Sequence, residues 1–279
     1  MFATIINDVY RKESVNEIAK VLDELCSPKG AYGWASDGIY SYWDYNTKEV
    51  YYIGLAVDLR ERFKQHNGII TTQSGNKKEL IDKHFEENNE LGFSIFVQSP
   101  MSQPYIKGKS EKWVWKDLKG EDRENHKIAE GILLECYKKK HGHFPKWNKV
   151  GGSAKGQKRV RNGNYEIIKG FTSTEFHPLV SRTSLRELAK KPEYEGYENG
   201  VMHAVRMIML YSGFNLKESI DIVKTTDTLN RFERMRQENY LFKTLEYGTP
   251  GYGTLVTEKD NPDPELTTFN FKPYPLRKI

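Results

Sequence analysis

Between Asp8 and Cys26 the apolar positions Val9, Val15, Ile18, Val21, Leu22 and Leu25 recur at roughly helical spacing. They predict one amphipathic helix, ended by Ser27, Pro28 and Gly30. The period then shortens. Residues 38–45 and 49–56 are aromatic and β-branched, and the polar Asn46-Thr47-Lys48 between them reads as a three-residue hairpin loop joining two antiparallel strands. Asp58 is placed to cap a short helix through His66, with Leu59 and Phe63 on one face and Arg62 and His66 on another. A lysine- and glutamate-rich stretch predicts an inserted helix near residues 77–88, and a third strand is expected at residues 92–98. A second polar excursion over residues 99–121 leads to a helix from Asp122 to His141.

Beyond this unit the pattern changes. Lys149, Lys155, Lys158, Arg159, Arg161 and Lys169 face the single acid Glu166 in a glycine-rich stretch, which reads as a linker able to lie along phosphates. Ser184-x-x-Glu187 is a capping-box pattern, Val201 to Tyr211 reads as a buried helix, and residues 215–224 and 227–243 look helical. The tail from Tyr247 is rich in Gly and Pro, with a hairpin expected at Asp260-Asn261. The expected fold is therefore mixed α/β (α+β): a three-stranded antiparallel sheet flanked by helices over residues 1–150, then a mostly helical second domain over residues 151–279. That second half is expected to be a generic helical bundle that braces the first unit or mediates homo-oligomer formation. A helix-turn-helix near Ser184 to Lys191 is the rival.

Composition narrows the class. The chain has 279 residues, enough for two ordinary domains, and its 13% aromatic content argues against disorder despite 29% charged residues. Only two cysteines, Cys26 and Cys136, are present, so reduced thiols are expected. No apolar run is long enough for a membrane span and no signal-peptide core is evident, so no membrane partner and a cytoplasmic location are expected. The net charge of +5 permits a polyanionic partner without requiring one.

The segment that carries chemistry is Gly38-Ile39-Tyr40, then Tyr52-Ile53-Gly54, then Arg62 and His66, and downstream Glu135 and Pro145-Lys146-Trp147-Asn148. This set resembles the GIY-YIG nuclease family over about residues 36–150. Both tripeptides are intact on neighbouring strands, and an arginine follows ten residues after Tyr52. A three-residue loop would set Tyr42 opposite Tyr52, with Tyr40 one step along the same face.

Hydrolysing a phosphodiester needs a base for water, a cation for the phosphate charge and help for the leaving oxygen. A phenol with a pKa near 10 is a poor base at neutral pH, so the tyrosines would depend on Arg62, His66 or a metal. The resemblance implies that one tyrosine is the general base. Tyr40 with His66 as proton partner is preferred, and Tyr52 is the rival. Arg62 offers a planar fork of donors to the phosphate.

Glu130 and Glu135 lie about 140° apart around their helix, so only one can face the sheet. Glu135 flanks the stripe Ile128, Ala129, Ile132, Leu133 and Cys136 more closely, and Gly131 beside it would leave room for a ligand. Glu135 is therefore the expected metal ligand. A single carboxylate suits Mg2+, with Mn2+ expected to substitute. Asn148 would either orient a phosphate or tie its loop to the sheet. Cys136, His141 and His143 make a poor zinc set, because Cys136 lies on the apolar stripe and no second cysteine pair accompanies it. Trp113 and Trp115 are candidates for base stacking or for core packing. The expected activity is metal-dependent endonucleolytic hydrolysis of DNA, restriction-type or mobile-element, with RNA a second possible substrate. The alternatives are a structure-specific repair nuclease and a nucleic-acid-binding module that no longer cuts.

Overall fold

The computed structural model describes residues 2–26, 34–72, 75–98, 121–161 and 163–240, with backbone only at residues 121–125. Strands β1 (Phe2–Tyr10), β2 (Gly38–Asp44), β3 (Val50–Ala56) and β4 (Leu91–Gln98) form one antiparallel sheet in the order β1-β4-β2-β3. The sheet thus has four strands and not the three expected. Helix α1 (Val15–Cys26) is shorter than predicted, because Asp8, Val9 and Tyr10 belong to β1. The Asp8 carboxylate accepts the Val9 and Arg186 amides at 2.8 and 3.0 Å, which holds this stretch extended.

Alternation along the strands feeds two cores. Ile6, Tyr40, Tyr42, Phe93 and Ile95 face α1, α2 (Leu59–His66) and α3 (Lys78–Glu87). Phe2, Ile5, Ile39, Ile53 and Phe96 face α4 (Glu121–His141) and α6 (Asn164–Phe171). Every residue of β2 and of β4 is buried, as expected for central strands covered on both sides. The helices forecast near residues 58–66, 77–88 and 122–141 all form. Asp58 caps α2 by accepting the Glu61 amide at 2.8 Å.

The basic stretch after Lys149 is not a linker. It folds into α5 (Ala154–Gln157) and α6, and Ile167, Ile168 and Phe171 are buried in the core beneath the sheet. Most of its cations precede α6, whose Ile167, Ile168 and Phe171 are the positions the sheet buries, so charge composition alone was misleading. The chain then runs past β1, where the Ile5 amide donates to Leu179 and the Ser181 amide to Ile5. There follow α7 (Leu185–Lys190), α8 (Pro192–Tyr197), a π-helical turn (Glu198–Met202), α9 (His203–Ser212), α10 (Leu216–Lys224) and α11 (Arg231–Gln237). Capping boxes at Ser184 and Asn215 start α7 and α10. Leu185 and Leu188 of α7 are buried against the core shared with α1, which is not the placing of a projecting recognition helix. A small third core joins α9, α10 and α11 through Val205, Met209, Ile220 and Met235. Among the described residues no helix is long and apolar enough to cross a membrane. Trp113, Trp115, the end of the helix expected to reach Lys243 and the hairpin at Asp260-Asn261 lie outside the described residues.

Candidate active site

The β2–β3 hairpin sets the tyrosines. Tyr42 pairs with Tyr52 and Tyr40 with Gly54, the register expected from the sequence, but the loop is not the one expected. The Asp44 amide donates to Glu49, and Trp43 pairs with Val50, so residues 45–48 form a four-residue loop. A four-residue loop alone would shift the register by one. A bulge at Tyr51, between the Tyr42 and Trp43 pairings, restores it. The bulged Tyr51 ring turns onto Trp147, 5.0 Å between centroids, and its hydroxyl donates to Asp44 at 2.5 Å.

Gly54 then explains itself. A Cβ there would meet Tyr52 Cε1 at 2.6 Å and the Tyr40 hydroxyl at 2.9 Å, so the two rings converge over a bare backbone. Their centroids lie 5.6 Å apart. Beneath them the Tyr40 hydroxyl is hydrogen bonded to Nε2 of buried His66 at 2.7 Å. Tyr40 is buried, whereas Tyr52 is only half-buried and forms the outer end of the line Tyr52, Tyr40, His66.

The electrostatics of the line are those of a buried polar chain next to cations. Burial raises Tyr40 well above the ordinary phenol range, Tyr52 adds to the rise and Arg62 opposes it. Burial also raises Tyr52, while coupling to the Tyr40 hydroxyl pulls it back. Burial, then Arg62, then Lys77 bring His66 down to about 3, so its ring is neutral at physiological pH. His66 Nδ1 is buried and has no hydrogen-bond partner among the described residues. Arg62 stands one turn before His66 on α2, as the spacing required, and makes no ion pair among the described residues.

The acid at this site is Glu130. Its half-buried carboxyl accepts the Leu55 amide and lies close enough to Tyr52 to perturb it, and burial pushes it up to about 7. Glu135, the residue favoured by the sequence, is half-buried and is not among the groups that perturb Tyr40, Tyr52 or His66. Two features turn the helix this way. Gly131 does not leave room for a ligand: a Cβ on it would meet Ser153 O at 2.5 Å, so this side of α4 is pressed against α5. Leu134 and Tyr137 are buried as well, which extends the apolar surface around to the side bearing Glu130. The stripe read from the sequence omitted both.

The outer edge of β3 is occupied in series. Tyr51 O accepts the Trp147 amide at 2.8 Å, and the Asn148 side chain both accepts from the Ile53 amide at 2.9 Å and donates to Ile53 O at 2.7 Å. Leu55 donates to Glu130. Asn148 therefore ties its loop to the sheet, with one amide hydrogen and the carbonyl oxygen both engaged on Ile53. The residue sequence reasoning overlooked is Lys77, whose ammonium lies 4.7 Å from the Tyr52 ring centroid. Nothing in its local pattern, a lysine beside another lysine in a polar insert, distinguishes it.

The structure thus gathers Tyr40, Tyr52, Arg62 and His66 into one cluster, adds Glu130 and Lys77, gives Asn148 a supporting position at its edge and leaves Glu135 outside. No protein-family model, no curated protein and no solved structure matches this chain.

Proposed function

We propose that the chain is a metal-dependent endonuclease of the GIY-YIG type that hydrolyses DNA. The observation that carries this reading is the hydrogen-bonded Tyr40–His66 pair beneath half-exposed Tyr52, facing an arginine with no acidic partner among the described residues. A guanidinium left without a counter-ion beside polar side chains suits a phosphate. Tyr52, the tyrosine open to solvent, takes the proton of the attacking water. Its own proton passes to Tyr40, and that of Tyr40 to His66 Nε2. Resting His66 is too weak a base for this. Burial depresses His66 most, and Arg62 and Lys77 add to it; a bound phosphate opposes the two cations and so raises the basicity of the ring while substrate is present. Water adds to phosphorus, the bond to the 3′ oxygen breaks, that oxygen takes a proton from solvent, and the proton held by His66 returns through Tyr40 and Tyr52 to solvent. The products are a 3′-hydroxyl and a 5′-phosphate, as the resemblance implies.

Glu130 fits a divalent cation. Its carboxyl is half-buried, borders Tyr52 and holds its proton to about pH 7, so a cation binding there would displace that proton. One protein carboxylate is a sparse donor set, which suits Mg2+ with its retained waters, and Mn2+ as a substitute. Bound there, the ion would supply positive charge to the phosphate. The test is incubation of supercoiled plasmid with the protein and Mg2+, beside Arg62→Ala and Glu130→Gln. Nicked and linear products from the parent alone support the reading. DNA binding without cleavage by the parent would favour the non-cutting module. A cleavage map on defined DNA would separate restriction-type from structure-specific cutting.

A further inference from the structure

We infer that the cavity at the outer edge of β1 is a docking site for a short extended peptide with uncharged side chains, whose backbone pairs with that of Asn7. The site is separate from the tyrosine cluster and does not depend on the nuclease reading. Successive residues of a strand direct their N–H and C=O groups to opposite sides. Ile5 directs its pair outward, away from β4: its amide donates to Leu179 O at 2.9 Å and its carbonyl accepts from Ser181 at 2.6 Å. Asn7 and Val9, at two-residue intervals, therefore direct theirs outward too. At Val9 both groups are engaged, the amide on Asp8 Oδ1 at 2.8 Å and the carbonyl by Arg186 at 2.9 Å. At Asn7 neither has a hydrogen-bond partner among the described residues.

The gap has a local cause. The Thr183 amide donates to Ser181 Oγ at 3.2 Å, which turns the chain away from β1 before it can reach Asn7. Arg186 of α7 closes the edge again only at Asp8 and Val9. Between these two closures lies a cavity of about 600 Å3, a size that accommodates a small ligand. Asn7 is half-buried, and its side-chain amide is fixed on Gly170 O and Ser173 O at 2.9 and 3.0 Å, so its backbone is held in place. An open donor and acceptor on one strand residue match the acceptor and donor of one residue in an extended peptide. A single open residue flanked by closed ones gives no edge along which a whole strand of a second copy could add. The inner charges of the wall are balanced, with Asp8 on Arg186 at 2.7 Å and Glu198 on Arg206 at 2.6 Å, so a charged side chain would find no counter-ion there. Pro178, Val180 and Met202 offer it apolar contact instead.

The experiment uses the full chain, isotope-labelled for amide NMR, with a panel of acetylated and amidated hexapeptides of Ala, Val, Leu, Ser and Thr, and a second panel carrying Lys or Glu at the centre. In the free protein the Asn7 amide should exchange with deuterated water faster than those of Ile5, Ile6 and Asp8. Members of the uncharged panel should shift the Asn7 resonance saturably at millimolar concentration and slow its exchange, and the charged panel should bind more weakly. In a scan of single N-methylations along a bound peptide, the position that pairs with the Asn7 carbonyl should lose about tenfold in affinity. No saturable shift at Asn7 from any uncharged member, equal binding by the charged panel, or a scan without a sensitive position would overturn the site. An Asn7 amide as protected as that of Ile5 in the free protein would overturn it as well, because the edge would then be closed.

Discussion

Two polar regions of this molecule are built from similar residues and end differently. At the β1 edge, buried Arg206 donates to Glu198 at 2.6 Å, to Thr4 at 3.1 Å and to the carbonyls of Pro178 and Val180. Tyr240 also donates to Glu198, and Asp8 accepts from Arg186 at 2.7 Å. These groups line a cavity of about 600 Å3, yet its buried ions are paired. At the tyrosine cluster Arg62 and Lys77 lack acidic partners among the described residues, and Glu130 is held partly protonated. The lesson is that the size of a concavity says less than whether its charges are already satisfied. Paired ions pin the helical half to the sheet, whereas unpaired ones leave their positive charge uncompensated.

Breaking the paired region should cost the most stability. Glu198→Ala leaves Arg206 buried without its counter-ion, and urea denaturation should show a loss of about 3–5 kcal/mol. An unchanged midpoint would mean that the network does not join the halves. Arg62→Ala should do the reverse, leaving the denaturation midpoint close to the parent and lowering plasmid cleavage by about 100- to 1000-fold. If cleavage survives, the comparison between the two regions fails.

Gly54→Ala sits between these extremes. Its methyl would push Tyr40 and Tyr52 apart, costing about 1–3 kcal/mol of stability and most of the cleavage. Glu130→Gln gives the sharpest pH signature. Burial raises the folded-state pKa of Glu130 from 4.5 to about 7, so the folded protein binds this proton more tightly than the unfolded chain. That contribution is complete below pH 4.5 and is lost as pH rises through about 7. The glutamine variant should therefore be more stable than the parent at pH 8, by on the order of 2 kcal/mol, and the gap should close in acid. Thermal melts at pH 5 and pH 8 would check it, and a gap independent of pH would remove Glu130 from the buried position.

Much of the site was legible before any coordinates. Asp58 as a cap, Arg62 and His66 one turn apart, and Tyr40, Tyr42 and Tyr52 on one sheet face all follow from relations among residues close in the chain. The register came out right although the loop was misread, because the bulge at Tyr51 compensates for the longer turn. β1 was missed because Val9 fits the helical spacing of α1 while belonging to a strand that residues 91–98 and 179–181 complete. α6 was hidden by the basic, glycine-rich segment that precedes it.

By itself the sequence determined the tyrosine face, the short capped helix and the spacing of its arginine and histidine, since backbone periodicity and turn chemistry act over a few residues. Only the tertiary structure decided between Glu130 and Glu135, because the rotation of α4 depends on the close contact of Gly131 with residues 153–156 and on the edge of β3. Which side of a helix is buried depends on every surface that covers it, and those surfaces come from segments that no local pattern relates.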